Sequence, residues 1–504
     1  MMHLDAPFWI VCPVILPISA ALLCFISQRR SPIIALTAAS GNILAAGILF
    51  RHLSLFGARQ YMLGNWPSPL GISLNLDAPA LLMLAMTAVT GLGITLYARG
   101  YFLFRLAAKH SDTHKAQEQY FWPLWMMLLA ALNALFLSND IFNLYVTLEL
   151  LSISAVALAA LSRKPASQIA AFRYLLVSLL GSTGYLLGVA LLYKFYGVLD
   201  LSMLRELITS EPGAQTALVL ISVGLLLKTA VFPLHFWLPP THANALAPVS
   251  AILSGLVVKA SFYLMFRLWF DVFTPVISPQ ALNLMGIMGA GAILWGAVQA
   301  MRQTRLKLLI AYSTVSQLGY LFIAFPLVRL DSGPHAWNAV ILMAMAHACA
   351  KSAMFMAAGT ISLHFNHDRI NDLTRVREFL PMTVFAYGIA GANLMGIPPS
   401  GGFIAKWLLL TSSFNTSQWW WGLIVIAGSL LAAAYVFKVI SRLFVVIPSE
   451  QTLLIRRQHS ASLEFPALAM AIISMLMGIL YPYIDQILSL EGTFKSAFIA
   501  GGIP

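Results

Sequence analysis

Charged residues are scarce in this sequence of 504 residues. Aspartate, glutamate, lysine and arginine together supply 10% of the chain, whereas apolar residues supply 60% and the mean hydropathy is +0.82. Soluble domains carry about 25% charged residues, so this composition excludes a soluble protein. The sequence predicts an integral membrane protein.

Acidic residues are scarcer than basic ones. The sequence has 18 aspartates and glutamates and 30 lysines and arginines, which gives a net charge of +12. Such an excess could indicate a nucleic-acid-binding protein. The basic residues are spread through short loops between apolar stretches, however, and this pattern is a signal of membrane topology.

Cysteine and cofactor motifs are also lacking. The three cysteines, Cys12, Cys24 and Cys349, lie in apolar segments without paired spacing, which excludes a disulfide framework or a cysteine metal site. No P-loop and no His or Cys cluster with cofactor spacing is found, so we expect neither a cofactor nor a metal. The first apolar segment has no basic residues before it and no cleavage site after it, and we expect a retained helix.

Long apolar runs are what the chain has in abundance. With about 20 apolar residues taken as one membrane crossing, the sequence predicts about fourteen transmembrane helices. We number them spans 1 to 14: 8–27, 33–50, 78–97, 121–138, 141–161, 168–193, 216–232, 245–268, 281–300, 307–328, 337–363, 379–416, 419–446 and 465–487.

The connecting loops divide by charge. Loops after spans 1, 3, 5, 9, 11 and 13, which we call the basic side, hold 17 of the 30 basic residues, and the opposite side holds seven. Lysine and arginine concentrate in cytoplasmic loops. We therefore expect a multi-pass protein of the inner (plasma) membrane with both termini outside. The basic-side set is Arg29, Arg30, Arg99, Arg105, Lys109, Lys115, Arg163, Lys164, Arg302, Arg305, Lys307, Arg369, Arg375, Arg377, Arg442, Arg456 and Arg457, and the opposite set is Arg51, Arg59, Lys194, Arg205, Arg267, Arg329 and Lys495.

Two spans are interrupted, and each carries a lysine beside the interruption. Span 7 contains Lys228 and should break near Pro233, and span 12 breaks at Gly396–Gly402 just before Lys406. The interruptions lie five spans apart, which predicts two five-helix repeats of opposite orientation. We expect an N-terminal part (1–100), a first repeat (121–268), a second repeat (281–446) and a C-terminal helix (465–504).

Ionisable residues inside the spans are the candidate site. Glu149 lies in NLYVTLELLSIS, and Lys228, Lys259, Lys351 and Lys406 lie deep in other spans. These five charges together cost roughly 12–17 kcal/mol to insert. An unpaired amine in a low dielectric loses its proton more easily than in water, so the set predicts a proton path. The alternative for Glu149 with Lys228 is an ion pair that only fixes packing.

Histidines and hydroxyls extend this set. His347 lies four residues before Lys351, on the same helix face, and could exchange protons with it. His235 and His242 follow the first break, although a lone histidine is often only a buried core residue. Small polar residues of span 6 could hold water near Glu149, or could serve only in helix packing; they are Ser178, Ser182 and Thr183.

These motifs closely resemble the antiporter-like membrane subunits shared by Mrp-type Na⁺/H⁺ antiporters, respiratory complex I (L, M and N types) and membrane-bound hydrogenases. The resemblance implies a fourteen-helix fold with a central polar axis for protons: Glu149, Lys228, Lys259, His347 or Lys351, and Lys406. The motifs are NDIFNLYVTLELLSIS, KTAVFPLHFWLP, APVSAILSGLVVK, LLIAYSTVSQLGY, AHACAKSAMFMAAG and GIPPSGGFIAKW.

The chain departs from the family pattern at Pro240, where the family usually has an aspartate. An entry role for that loop is therefore in doubt. The sequence also stops soon after span 14, without a long lateral helix, which favours the D-type member of an Mrp antiporter or an M- or N-like member of complex I. We expect the Mrp D type.

Three functions remain open, and each needs other membrane subunits as partners. The first is a proton-translocating subunit of a cation/proton antiporter. The second is a pumping subunit of a NADH:quinone oxidoreductase-like enzyme or a hydrogenase, and the third is the proton-path partner of an inorganic carbon uptake system. One carboxylate among four lysines is a poor site for a hard cation, so we expect Na⁺ to pass elsewhere.

Overall fold

The structure is a computed structural model that describes residues 6–108, 111–328, 335–445 and 461–490. Nearly all of these residues are helical. The α-helices are α1 (Ala6–Ile26), α2 (Ser31–Phe56), α3 (Ala78–Ala108), α4 (Asp112–Leu137), α5 (Ile141–Ala160), α6 (Pro165–Tyr196), α7 (Leu201–Leu207), α8 (Pro212–Thr229), α9 (Leu238–Asn244), α10 (Ala247–Ile252), α11 (Val258–Arg267), α12 (Pro279–Arg302), α13 (Leu306–Ile323), α14 (His335–Phe365), α15 (Val376–Phe379), α16 (Pro381–Met395), α17 (Gly401–Asn415), α18 (Trp419–Phe444), α19 (Ala461–Ile479) and α20 (Tyr481–Ser489).

Thirteen helices of the described residues are long and apolar enough to cross a membrane. The remaining predicted crossing, span 12, is divided into α16 and α17, each 15 residues long. The prediction of an all-α membrane protein with about fourteen spans is confirmed. The C-terminal span is shorter than predicted, because α19 ends at Ile479 and α20 follows as a separate helix.

A small hairpin lies on the side opposite the basic loops. Strand β1 (Arg59–Met62) pairs antiparallel with β2 (Ser73–Leu76), with Arg59 opposite Leu76. The buried carboxylate of Asp200, just before α7, accepts hydrogen bonds from Ser68 Oγ (2.7 Å) and Ser73 Oγ (2.9 Å). These bonds tie the α2–α3 connection to the α6–α7 connection.

The start of α5 is fixed by Asp140. Its Oδ1 accepts a hydrogen bond from the Asn143 backbone N–H at 2.7 Å, which satisfies one of the free donors at a helix N-terminus. Burial raises the pKa of the Asp140 carboxyl. This cap sets the register of the helix that carries Glu149.

Close packing of α6 against α8 depends on two glycines. A Cβ atom at Gly181 would lie 2.8 Å from the Gly224 carbonyl oxygen, and one at Gly224 would lie 2.3 Å from the Gly181 oxygen. Small residues of this kind let membrane helices approach closely. The approach brings Lys228 of α8 against α6.

The helix break in span 7 begins at α8's last residue, Thr229, four residues before Pro233. A proline ring clashes with the carbonyl four residues earlier, so the helix cannot continue beyond this point. Ala230 adopts a left-handed conformation (φ 58°, ψ 41°). The predicted break is confirmed, although the helix ends earlier than Pro233 itself.

The second break is also confirmed. Helix α16 ends at Met395, Gly396 is left-handed (φ 85°, ψ 51°), and α17 begins at Gly401. The assignment of spans 4–8 and 9–13 to two inverted repeats stays a prediction.

Two loop assignments are wrong. Lys307, expected in a basic-side loop, is buried in the first turn of α13, where its Nζ donates to Ala245 O at 2.6 Å. Arg267, expected in an opposite-side loop, is the buried last residue of α11. Asp271 is also buried, at the end of the same membrane crossing. The sequence did not reveal the burial of Lys307 and Arg267 because their partners lie far away along the chain. Five loop residues lie outside the described residues: Lys109, Arg329, Arg456, Arg457 and Lys495.

Candidate functional site

Glu149 and Lys228 meet between α5, α6 and α8. The Lys228 Nζ lies 3.5 Å from Glu149 Oε2. It also donates to Ser152 Oγ at 2.7 Å and to Ser178 Oγ at 2.8 Å. Ser182 donates to the same Glu149 oxygen. The amine is thus held by one carboxylate and two hydroxyls, which hydrogen-bond it whether or not Glu149 is ionised.

The two partners of this ion pair differ in exposure. The Lys228 side chain is 4% exposed, and the Glu149 side chain is 18% exposed on the outer wall of the helix bundle. Deep burial of the amine makes its charge depend on its few neighbours. The partly open carboxylate is the member that a neighbouring chain or water can reach.

The segment after Lys228 is anchored by Trp237. Its indole Nε1 donates to the Leu227 carbonyl at 2.9 Å, which satisfies one acceptor at the end of α8. The indole also stacks on Tyr174 of α6, with ring centroids 4.1 Å apart. Non-helical backbone at membrane depth needs such partners, and here they keep the broken end beside the amine.

Lys259 lies in the centre of the protein and is fully buried. It follows a π-helical turn, Leu253–Val257, which separates α10 from α11. Its Nζ donates to the carbonyl of Ser254, inside that turn. Ser254 Oγ lies 2.8 Å from Thr314 Oγ1 of α13. A π turn inside an α-helix often marks a functional position, and this one supplies the carbonyl that accepts from Lys259.

Lys351 and His347 lie on α14, whose whole apolar stretch is buried. Lys351 Nζ donates to Ile310 O at 3.2 Å and to the Ser313 hydroxyl. Both His347 nitrogens are buried without a hydrogen-bond partner among the described residues. His347 lies one helical turn before Lys351 on this helix.

Lys406 lies one turn into α17 and is buried. Its Nζ donates to the Leu394 carbonyl at 2.5 Å, across the break, and lies 4.4 Å from the centroid of the Tyr320 ring. The ring face attracts the ammonium form. Gly402 approaches Asn393 so closely that an added Cβ would lie 2.1 Å from the Asn393 oxygen.

The two remaining histidines differ from each other. His242 is fully buried and stacks on Phe355 with centroids 4.7 Å apart, and neither of its nitrogens has a partner among the described residues. The sequence also allowed His242 to lie in a water-facing loop after Pro240, and this alternative is wrong because the side chain is buried. His235 is half-buried and stacks on Phe232.

Five of the six predicted site residues are buried and Glu149 is partly exposed, and their contacts are uneven. Glu149 and Lys228 form a direct pair, whereas the other three lysines each bond backbone carbonyls or hydroxyls near them. Thr183 does not take part, because it is exposed and donates to Leu179 O on its own helix. Ser152 was missed, although its position three residues after Glu149 places it on the same helix face.

The six predicted site residues lie within a part of the chain that matches a known protein family. Residues 138–432 match the NADH:quinone oxidoreductase/Mrp antiporter transmembrane family. The chain belongs to that family. The resemblance indicated by the motifs is therefore confirmed, and the matched region contains all six predicted site residues.

Curated relatives of this family member come from more than one kind of complex. The chain is 30% identical to the N-type subunit of the NADH-quinone oxidoreductase of Desulforudis audaxviator over 442 residues, which covers 86% of this chain and 85% of that protein. It is 26% identical to the D-type subunit of the Na⁺/H⁺ antiporter of Bacillus subtilis over 491 residues, which covers 95% and 96% of the two chains.

Solved structures share the fold. A chain of the Mrp complex from Dietzia sp. superposes with a TM-score of 0.83 at 22% identity and covers 98% of this chain and 99% of that one. A chain of the archaeal membrane-bound sulfane sulfur reductase superposes with a TM-score of 0.86 at 24% identity and covers 99% and 100%. Both neighbours are chains of multisubunit membrane complexes.

Proposed function

We propose that this chain is the proton-translocating subunit of a multisubunit cation/proton antiporter of the Mrp type. One observation carries the proposal: a buried lysine, Lys228, shares its amine between a carboxylate and two hydroxyls at a helix break. Such an amine can hold a proton when Glu149 is ionised and close, and can release it when that pair weakens.

The released proton has further acceptors inside the bundle. Lys259 and Lys351 are fully buried, and Lys406 is nearly so. His347 lies one helical turn before Lys351, and neither of its ring nitrogens has a hydrogen-bond partner among the described residues. Transfer along Glu149, Lys228, Lys259, His347 with Lys351, and Lys406 would move one positive charge from one helix break to the other. No cofactor is needed for these steps, since each is a proton exchange between side chains or through water.

The exposure of Glu149 supports a partner chain on this wall. A charged side chain that faces lipid at mid-membrane costs several kcal/mol, and 18% of the Glu149 side chain is open on the outer wall between α5 and α6. We propose that another membrane subunit covers it. Contact with that subunit would alter the Glu149–Lys228 pair and so couple the proton step to events elsewhere in the complex.

The experiment uses inverted membrane vesicles from cells that lack other Na⁺/H⁺ antiporters and express this chain with its neighbouring genes. A pH gradient is imposed, Na⁺ is added, and the decay of the gradient is followed with a fluorescent dye. Na⁺ should accelerate the decay, and Lys228→Ala should abolish the acceleration with unchanged membrane abundance. Full activity of the Lys228→Ala variant would refute the proposal.

A second candidate is a pumping subunit of a NADH-quinone oxidoreductase, because a relative at 30% identity carries that name. In that case the same vesicles should build a pH gradient when NADH is added and show no response to Na⁺. The proteins that copurify with the full chain separate the two candidates independently.

We propose the inner (plasma) membrane as the location, with both termini outside. The support is the charge of the loops, which hold 16 basic residues on one side against six on the other when the buried Lys307 and Arg267 are left out. Reporter fusions at either terminus, one active only in the cytoplasm and one only outside it, give a direct test. Cytoplasmic activity of a C-terminal fusion would overturn the assignment.

A further inference from the structure

A second buried charge network lies outside the predicted axis, on the side opposite the basic loops. It joins Asp77, just before α3, Arg205 of α7, and two residues at the end of the eighth crossing, Arg267 and Asp271. Arg267 was wrongly expected in a loop, and the proton axis uses none of the four.

The contacts close this network on itself. Arg267 Nη2 lies 2.6 Å from Asp77 Oδ2, and its Nε lies 3.8 Å from Asp271 Oδ2. Arg267 Nη1 also donates to the Tyr263 hydroxyl at 2.9 Å. Asp271 Oδ1 pairs with Arg205. The two arginines balance the two aspartates, so the four side chains carry no net charge.

The network lies between water and the lysine at the centre of the protein. Lys259, Tyr263, Arg267 and Asp271 are four residues apart, so they follow one face of the same crossing. Tyr263, Asp271 and Arg267 are buried, whereas the Arg205 side chain is 34% exposed. Arg205 is thus the exposed end of the network, and Arg267 lies on the shared helix face between that end and Lys259.

Arginine is suited to seal such a position. Its guanidinium does not lose its proton in proteins, so it cannot relay one, and its fixed charge repels other cations. The two carboxylates, by contrast, would bind protons readily if their cation were removed, because burial disfavours an uncompensated charge. With Arg267 present, the network therefore blocks the passage of protons. Without Arg267, its two aspartates would bind protons.

We propose that the Asp77–Arg205–Arg267–Asp271 network is an electrostatic seal that stops protons from leaking between Lys259 and the side opposite the basic loops. This inference rests on the proposed function, since a seal matters only where a proton path exists. Arg267 is its central positioning residue and takes no proton itself.

The test measures passive proton leak in inverted vesicles that contain the full chain with its partners, in choline buffer without Na⁺ or electron donors. Arg267→Gln leaves a net negative charge and should speed the decay of an imposed pH gradient several-fold. Arg267→Lys keeps the charge balance but loses the forked geometry, and its vesicles should stay tight. The control is Arg375→Gln, which breaks an exposed ion pair with Glu378 and should change nothing.

A compensating variant separates sealing from folding. Arg267→Gln with Asp77→Asn restores a net charge of zero and should return the leak to the level of the unaltered protein, although it removes more native contacts. The proposed seal would be overturned by proton leak in Arg267→Gln, in Arg267→Lys and in the double variant alike. It would also be overturned if none of these three variants leaked at unchanged membrane abundance. A leak that persists when Lys259→Met is added to Arg267→Gln would also overturn it, because the protons would not be passing through Lys259. If Glu149→Gln alone leaves Na⁺-driven transport intact, the proposed function fails instead.

Discussion

Replacement of Glu149 by glutamine removes the charge of the carboxylate and keeps its size. At the observed separation of 3.5 Å, the attraction between Glu149 and Lys228 is about 5 kcal/mol at an effective dielectric of about 20. Removal of one partner of a buried ion pair costs about 3–5 kcal/mol in measured cases. The Lys228 amine should therefore hold its proton far less strongly in Glu149→Gln.

The assay is proton-coupled transport in inverted vesicles, with the full complex expressed. Since each 1.4 kcal/mol is a factor of ten, we expect Glu149→Gln to lower the rate about a hundredfold or more. Glu149→Asp keeps the charge one methylene farther from the amine and should retain partial activity. Ser152 and Ser178 still hydrogen-bond the amine in both variants, so membrane abundance should not change.

The matched control is Glu378→Gln. Glu378 pairs with Arg375 at 2.9 Å, but both side chains are at least one-third exposed, and exposed pairs contribute about 0–1 kcal/mol. Transport by this variant should match that of the unaltered protein. Equal loss of activity in Glu149→Gln and Glu378→Gln would refute the argument from burial, and so would full activity in Glu149→Gln.

Other expected results follow from neighbouring contacts. Gly402→Ala should disrupt the second break and lower both membrane abundance and transport, because the added Cβ would lie 2.1 Å from Asn393 O. The control is Gly388→Ala on α16, where an added Cβ meets nothing within 4 Å. Equal immunoblot levels and transport rates for the two variants would contradict this expectation. Ser178→Ala removes the 2.8 Å hydrogen bond from the Lys228 amine, a contribution of about 1–2 kcal/mol, and should slow transport roughly tenfold in the same vesicles. An unchanged rate would mean that this hydroxyl is only a packing contact. Infrared spectra of the carboxyl band of Glu149, with Glu149→Gln as the reference, should not respond to Na⁺ in the isolated subunit, and a response would place a Na⁺ site at this carboxylate.

Sequence reasoning could single out the candidate residues because membrane burial makes each of them costly. A lysine such as Lys259 or Lys406 stands out in an apolar run of about 20 residues, and the prolines near Lys228 mark the break with equal clarity. The positions of α8's end and of α17's start follow from backbone sterics that proline and glycine impose locally. These features depend on short stretches of sequence, so they could be predicted.

The rest depended on contacts between distant segments. Arg267 looked like a loop residue because Asp77, its partner, lies 190 residues away. Lys307 looked the same because its acceptor is a backbone carbonyl, Ala245 O, which any residue type supplies. Ser152 was visible in principle, as it shares a helix face with Glu149. The crossing that carries Lys259 contains two π turns, Leu253–Val257 and Leu268–Val272, and neither has a recognisable sequence signal.

The central claim is that water or side chains connect the buried amines into one path. The most direct measurement is a cryo-EM map of the assembled complex in a lipid nanodisc that orders internal water. The account predicts waters that bridge the amines of Lys228, Lys259, Lys351 and Lys406 through His347 and the neighbouring hydroxyls. A dry gap between any two of these amines, lined only by apolar side chains and too wide for a hydrogen bond, would contradict it.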